Sequence, residues 1–231
     1  FSVEPTTQRP NRIEIVFDPS DSPYGSLIVA NDGEPFSSSN FERLSQLGQS
    51  DKDPQKSIGN KGIGFRSVLE ISACPEIYSR ALSGSSSFDG YCFAFRPEVV
   101  QSLLEPMALL AAGGPVPVWG VTGAPIVDWS EEMLAKFRRR VRAQGNSWLN
   151  GETKYLSPYL LPVPLTDRSS GTVALLEAQN FATVVRLPLK SPQLKDYVLE
   201  HMHTLSATTA LFLEKASHLT LRVVGAEQRV F

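Results

Sequence analysis

Apolar and polar residues alternate along 12–18 (RIEIVFD), the period-two signature of a strand with one buried face, and the run stops at Pro19. Asp21, Ser22, Pro23 and Gly25 supply a turn, and a second short run follows at 26–31 (SLIVAN), so the pair predicts a β-hairpin. The pattern then turns helical over 40–48 (NFERLSQLG), opened by Ser39 and Glu42 in capping-box spacing and closed by Gly48. A polar stretch, QSDKDPQKS, leads into a glycine cluster, and 65–71 is again helical in pattern before Cys74-Pro75 ends it. Strands are expected over 76–80 and 91–96, joined by the flexible SGSSSFDG.

Two helices follow by pattern, over 97–110, where Pro106 shortens or kinks the run, and over 130–144, where Glu131 and Glu132 in the first turn and arginines near the end match the macrodipole. The Gly- and Pro-rich 113–125 between them reads as an irregular connection. Extended segments are expected over 155–165, 171–177 and 181–189. Ser191-Pro192 pairs an N-cap with a first-turn proline and opens a helix to about residue 215, and 218–224 forms a last strand. The sum predicts an α+β fold: a two-layer sandwich in which helices cover one face of a mixed sheet. No internal repeat is present, and 113–125 does not force a division, so residues 1–231 read as a single domain.

Composition narrows the classes. A chain of 231 residues, 42% hydrophobic, builds one substantial core or at most two small ones. A net charge of −2 gives no general electrostatic grip on nucleic acid or an acidic membrane. No apolar run approaches the roughly 20 residues that span a bilayer. No secretory leader is recognisable, since Phe1 begins a polar, proline-containing segment. Two cysteines, Cys74 and Cys92, are too few for a disulfide framework and fit a reduced, cytoplasmic protein, with a single bridge left open. The chain starts on Phe1 and closes on Arg229-Val230-Phe231 without a polar tail, and reads as part of a longer polypeptide.

Candidate chemistry concentrates in KSIGNKGIGFRSVLEIS (56–72), where Gly59, Gly62 and Gly64 stand in a Gly-x-x-Gly-x-Gly order. The dinucleotide fingerprint needs Gly-x-Gly-x-x-Gly directly after a buried strand, and here the spacing is reversed and a polar stretch precedes. A Walker loop needs Gly-Lys-Ser/Thr, and this one reads Gly-Phe-Arg. Two readings survive: a plain glycine-rich turn, or a nest of backbone N–H groups at a helix start that holds an anion, with Lys61 and Arg66 adding positive charge.

The order of blocks is a strand, NDGEPF, a capped helix, LGQSDKDP, IGNKGIGFRSV and, much later, FATVVRLPL. It resembles the Bergerat-fold ATPases, the superfamily of gyrase, heat-shock chaperone, histidine kinase and mismatch-repair ATPases. In wording it is most similar to the chaperone-like domains of the sacsin and NO VEIN type. The resemblance runs from about Arg12 to Val224, and IGNKGIGFRSV is its most specific block.

The resemblance implies ATP binding. An Asp in a D-x-G turn would accept from the adenine amino group; aligning on Gly33 puts Asn31 there, with Asp32 as the alternative if the turn is shifted by one residue. A neutral acceptor is weaker than a charged one by about 1 kcal/mol. An Asx-type turn without a ligand is the competing reading. Gly59, Asn60, Lys61, Gly62, Ile63, Gly64 and Phe65 correspond to the phosphate loop. Lys52, with Lys56, lies in the lid-like segment 49–57, where a lysine would meet terminal phosphates. Thr183 matches a threonine beside adenine on a late strand.

The superfamily also carries an E-x-x-x-N helix upstream of the hairpin, whose Glu activates water and whose Asn ligates Mg²⁺. Residues 1–11 contain only Glu4 and Asn11, with Pro5 and Pro10 between them. Without the base, about 10²- to 10⁴-fold of rate would be missing. Hydrolysis is therefore left open, no catalytic or metal-ligating residue is assigned, and Mg²⁺ is implied only together with that helix. Partners implied are ATP and ADP, further domains of the same polypeptide moved by lid closure, and a homodimer as one allowed assembly, with no membrane.

Competing readings are a degenerate Bergerat-like scaffold for protein–protein interaction and a nucleic-acid accessory factor using KFRRRVR (136–142), which the net charge disfavours. His201 and His203, two apart on a helix, do not share a face and make no metal pair.

Overall fold

The computed structural model describes residues 11–44, 64–96, 162–165, 170–205, 216–226 and 228–231. The expected hairpin forms where alternation puts it, β1 (Arg12–Asp18) pairing antiparallel with β2 (Ser26–Asn31). Its turn is built by side chains: Asp18 Oδ1 accepts from Ser20 N–H at 3.0 Å and from Ser20 O–H at 2.7 Å. Gly25 closes it at φ +85°, where a Cβ would stand 2.7 Å from the Phe17 ring, so only glycine fits.

The chain continues through α1 (Ser38–Leu44), a 3₁₀ segment (Gly64–Glu70), β3 (Glu76–Ser79), β4 (Phe93–Phe95), β5 (Pro162–Pro164), α2 (Gly171–Ala178), β6 (Thr183–Pro188), α3 (Pro192–Thr204), β7 (His218–Val223) and β8 (Gln228–Val230). Among the described residues eight strands form one sheet in the order β5-β4-β3-β6-β2-β1-β7-β8. Only the β1–β7 pair is parallel, which makes the sheet mixed, as expected. β5, with its two prolines, sits at an edge, where missing N–H groups break no central ladder.

Three expectations change. The capping box lies two residues earlier than Ser39 and Glu42 suggest. Ser37 Oγ accepts from Asn40 N–H at 3.2 Å while Asn40 Oδ1 accepts from Ser37 N–H at 2.9 Å, so the serine run offered several caps and the Ser37–Asn40 pair won. Residues 171–177 are helical, not extended. Ser170 Oγ caps Val173 N–H at 3.3 Å, and Asn180 at φ 64° closes a Schellman turn. In that turn Asn180 N–H bonds Glu177 C=O and Phe181 N–H bonds Leu176 C=O. The β-branched Thr172 and Val173 gave the segment its strand-like look.

The third change concerns the layers. Side chains of β1 alternate between two apolar clusters. Phe17, with Ile13 and Ile15 at its margin, packs with Leu219, Leu221 and α3 residues Val198 and Met202; Val16 packs with Ile28, Ala30, Val184 and α2 residues Val173 and Leu176. Helices therefore lie on both faces of the sheet, correcting the one-face arrangement. Each fully buried aliphatic or aromatic side chain contributes about 1.5–3 kcal/mol, so neither layer is incidental.

The α3 N-cap falls at Ser191 with Pro192 in the first turn, as expected, although the Ser191 hydroxyl makes no capping bond; residues 206–215 lie outside the described set. So do the helices expected over 97–110 and 130–144, the connection 113–125 and most of 155–165. β8 is an addition, turned back on β7 through Gly225 at φ +85°.

The α2 face carries buried polar groups. Asp18, 6% exposed, accepts from Thr172 O–H at 2.6 Å. Burial alone would push its carboxyl up, but hydrogen bonds from Thr172 and Ser20 together hold it below the ordinary 3.8. A carboxyl depressed on folding adds stability that is present above 3.8 and lost as pH falls through the lower folded value. Thr172→Val is thus expected to cost about 2 kcal/mol at neutral pH. The gap from wild type should shrink in acid, as checked by urea unfolding at pH 7 and near pH 3.

Candidate functional site

Strand register assembles three of the chain's small polar side chains. Asn31 ends β2 directly opposite Thr183, the first residue of β6, and Thr183 is in turn opposite Ser79, the last residue of β3. Residues directly opposed in antiparallel strands point to the same face, so amide and two hydroxyls form one row across β2, β6 and β3. Alternation puts the row on the α3 face, with Ile77 one step in from Ser79 and Phe93 opposite Ile77. Ser79 is fully buried, Thr183 is 7% exposed, and Asn31 is half-buried.

The turn after β2 separates the two candidate acceptors. Asp32 is committed to Arg12: Oδ1 accepts from the Arg12 backbone N–H and Oδ2 from Nε, each at 2.6 Å. Arg12 is 42% exposed, which limits this pair to about 0–1 kcal/mol. It also lies over the Phe181 ring at 4.8 Å and donates to Gln179 C=O, tying the turn to the end of α2. Asn31 instead stands opposite Thr183 in the register, with Oδ1 accepting a long 3.3 Å bond from Gly33 N–H. That bond is the Asx turn anticipated as the alternative reading, and its length leaves the oxygen available to a better donor.

Aromatic packing fixes the turn's far side. Phe36 and Phe41 flank the α1 cap in the positions of a hydrophobic staple, and both meet Tyr91 and Phe93 at centroid distances of 5.0–6.0 Å. Phe41 and Phe93 are almost wholly buried. Phe36 N–H donates to Ser79 Oγ at 2.7 Å, and Ser79 Oγ lies 3.2 Å from Thr183 Oγ1. Sequence reading missed Ser79 and Arg12; a serine at a strand end and an arginine at a strand start carry no local mark of such work.

Of the phosphate-loop candidates, Gly64 and Phe65 open the 3₁₀ segment, a tighter helix than the α-helical pattern suggested. The segment's end is anchored on β6: Ser72 bridges Leu189, Lys190 N–H bonds Ile71 C=O, and Lys190 Nζ donates to Leu69 C=O at 2.9 Å. Lys52, Gly59, Asn60, Lys61, Gly62 and Ile63 lie outside the described residues.

Elsewhere, His201 and His203 are exposed, each ring Nδ1 within hydrogen-bond distance of the carbonyl four residues earlier. Among the described residues no group of three His, Cys, Asp or Glu side chains could hold a metal ion, and no helix is long and apolar enough to cross a membrane. Cys74 and Cys92 do not form a disulfide with each other, and the buried Cys92 thiol lies near Phe88 C=O. A scan against protein-family models matches no family, and a search of curated proteins finds no matching relative.

Proposed function

We propose that the chain is an ATP-binding domain of Bergerat type, in which Asn31 and Thr183 meet the adenine edge and the Gly59–Phe65 loop meets the phosphates. The supporting observation is the register that sets Asn31 opposite Thr183, two residues 152 positions apart, on one sheet face. An amide oxygen and a hydroxyl side by side offer both acceptor and donor, which is what an amino-substituted purine edge requires. The 3₁₀ segment that follows the loop is fastened at its end beside β6, through Ser72 with Leu189 and Ile71 with Lys190.

ATP supplies the transferable phosphates when bound; the chain's described residues bind and orient the base. Hydrolysis and Mg²⁺ enter the proposal only in company with an E-x-x-x-N helix. Closure of the lid-like 49–57 segment would convey nucleotide state to attached domains. The second reading, a scaffold with no nucleotide, draws support from the Asn31–Gly33 bond, which gives the amide oxygen a partner within the chain.

Calorimetric titration with a non-hydrolysable ATP analogue, with and without Mg²⁺, on the longest natural polypeptide separates the two. Saturable binding is expected, and Gly62→Val is expected to abolish it by blocking backbone approach to phosphate. No binding by the wild type refutes the ATP reading, and unchanged affinity in Gly62→Val refutes the loop assignment.

A further inference from the structure

We infer that Ser79 is the positioning residue that makes Asn31 and Thr183 act as one base-reading unit. The inference rests on the nucleotide reading above. A serine hydroxyl has one proton and two lone pairs. At Ser79 one lone pair accepts Phe36 N–H at 2.7 Å, and the remaining capacity faces Thr183 Oγ1 at 3.2 Å, Arg80 C=O at 3.2 Å and Ala182 C=O at 3.4 Å.

Two proton arrangements follow. If Ser79 donates to Thr183, the Thr183 proton is free to be given to a ligand acceptor. If Ser79 donates to a carbonyl, Thr183 donates to Ser79 and turns only lone pairs outward. The second arrangement, with Ser79 donating to a carbonyl and accepting from Thr183, is the one that lets Thr183 accept from a 6-amino group. Through Phe36 N–H Ser79 also pins the far end of the turn that begins at Asn31. Its 0% exposure shields both bonds from competing water, which strengthens them and makes their loss specific. Nearby backbone supports the placement: Ser79 C=O accepts from Gly90 N–H at 2.9 Å, and a Cβ on Gly90 would stand 2.4 Å from Arg80 O, so this end of β3 is tightly held.

The test compares two ligands on wild type, Ser79→Ala, Ser79→Cys and Ser79→Thr: an ATP analogue and the same triphosphate carrying purine without its 6-amino group. Wild type is expected to prefer the ATP analogue. Ser79→Ala is expected to weaken ATP-analogue binding about tenfold while hardly changing affinity for the amino-free ligand, so the preference collapses. Ser79→Thr, which retains the hydroxyl, should keep the preference. Ser79→Cys, nearly isosteric with a weaker acceptor, serves if the alanine variant fails to fold, and should lose the preference too. Equal weakening for both ligands, or an intact preference in Ser79→Ala or Ser79→Cys, overturns the inference and leaves the ATP reading standing. Failure of the wild type to bind either ligand removes both.

Discussion

Replacing Arg186 with methionine is expected to lower the unfolding free energy by about 3–5 kcal/mol, out of a total that for most domains is about 5–15 kcal/mol. The Arg186 side chain is 8% exposed and sits between two carboxylates that are themselves largely buried, Asp21 and Glu76. Nε and Nη2 grip Asp21 at 2.7 and 3.1 Å, a two-point hold, and Nη1 reaches Glu76 Oε2 at 2.7 Å. Tyr78 O–H donates to the same Glu76 oxygen at 2.8 Å, and Arg96 stands 3.5 Å from the other. Burial opposes the charge on Arg186, yet its bonds to Asp21 and Glu76 win, and the guanidinium holds its proton more tightly than usual. Burial and the Glu76 charge together push the Tyr78 phenol well up, so it stays a donor throughout the accessible pH range.

Methionine fills the volume but removes the close cation from two largely buried carboxylates, leaving Glu76 with Tyr78 and the more distant Arg96, and that loss is what makes the single substitution severe. Removing these three charges together, as in Arg186→Met with Asp21→Asn and Glu76→Gln, should cost much less than the sum of the single changes. Urea unfolding of the singles and the triple measures this. If Arg186→Met alone falls within 1 kcal/mol of wild type, the network is not the buried cluster described. The three residues come from the hairpin turn, β3 and β6, so the network locks the strand pairing that brings Asn31, Thr183 and Ser79 into one row.

How far this row was legible in the sequence depends on the range of each interaction. β1, β2 and β6 announce themselves because their alternation is local. In β1 the second buried face went unread, although Val16 breaks the polar set between Ile15 and Phe17. α2 was hidden because Gly171, Thr172 and Val173 look like a strand start, while its own signals, a serine before and an asparagine after, are equally common in turns. Asn31 and Thr183 were singled out by resemblance to a family pattern, and residue chemistry alone would not have paired them. Ser79 was invisible for a physical reason: its partners, Phe36 and Thr183, lie 43 and 104 residues away, and no periodicity encodes a register set by the whole sheet.

The second large effect is expected at Arg80, which closes the same end of the sheet from the α2 side. Its side chain is 2% exposed, and its guanidinium donates to three main-chain carbonyls: Phe181 through Nε at 2.7 Å, Glu177 through Nη2, and Ser85 through Nη1. Two of these belong to the Schellman turn that ends α2, where a helix's last carbonyls lack partners and the dipole favours a cation. The third holds the Leu82–Ser87 loop against that turn. Arg80→Met would orphan the Phe181 and Ser85 carbonyls and leave Glu177 C=O only its bond from Asn180 N–H, at about 1–3 kcal/mol for each orphan that stays buried, so a loss of roughly 2–5 kcal/mol is expected. Arg80→Lys should recover only part, because a single ammonium on a flexible stem cannot span three diverging acceptors as a planar fork does. The backbone gives the measurement its sharpness. Arg80 N–H itself donates to Ala182 C=O, and Ala182 precedes Thr183, so loosening Arg80 should speed amide hydrogen exchange at Asn180 and Phe181 before the β1–β2 hairpin responds. Exchange that rises uniformly across the sheet, or an Arg80→Lys variant as stable as wild type, would show that Arg80 fills space there and does not cap the helix.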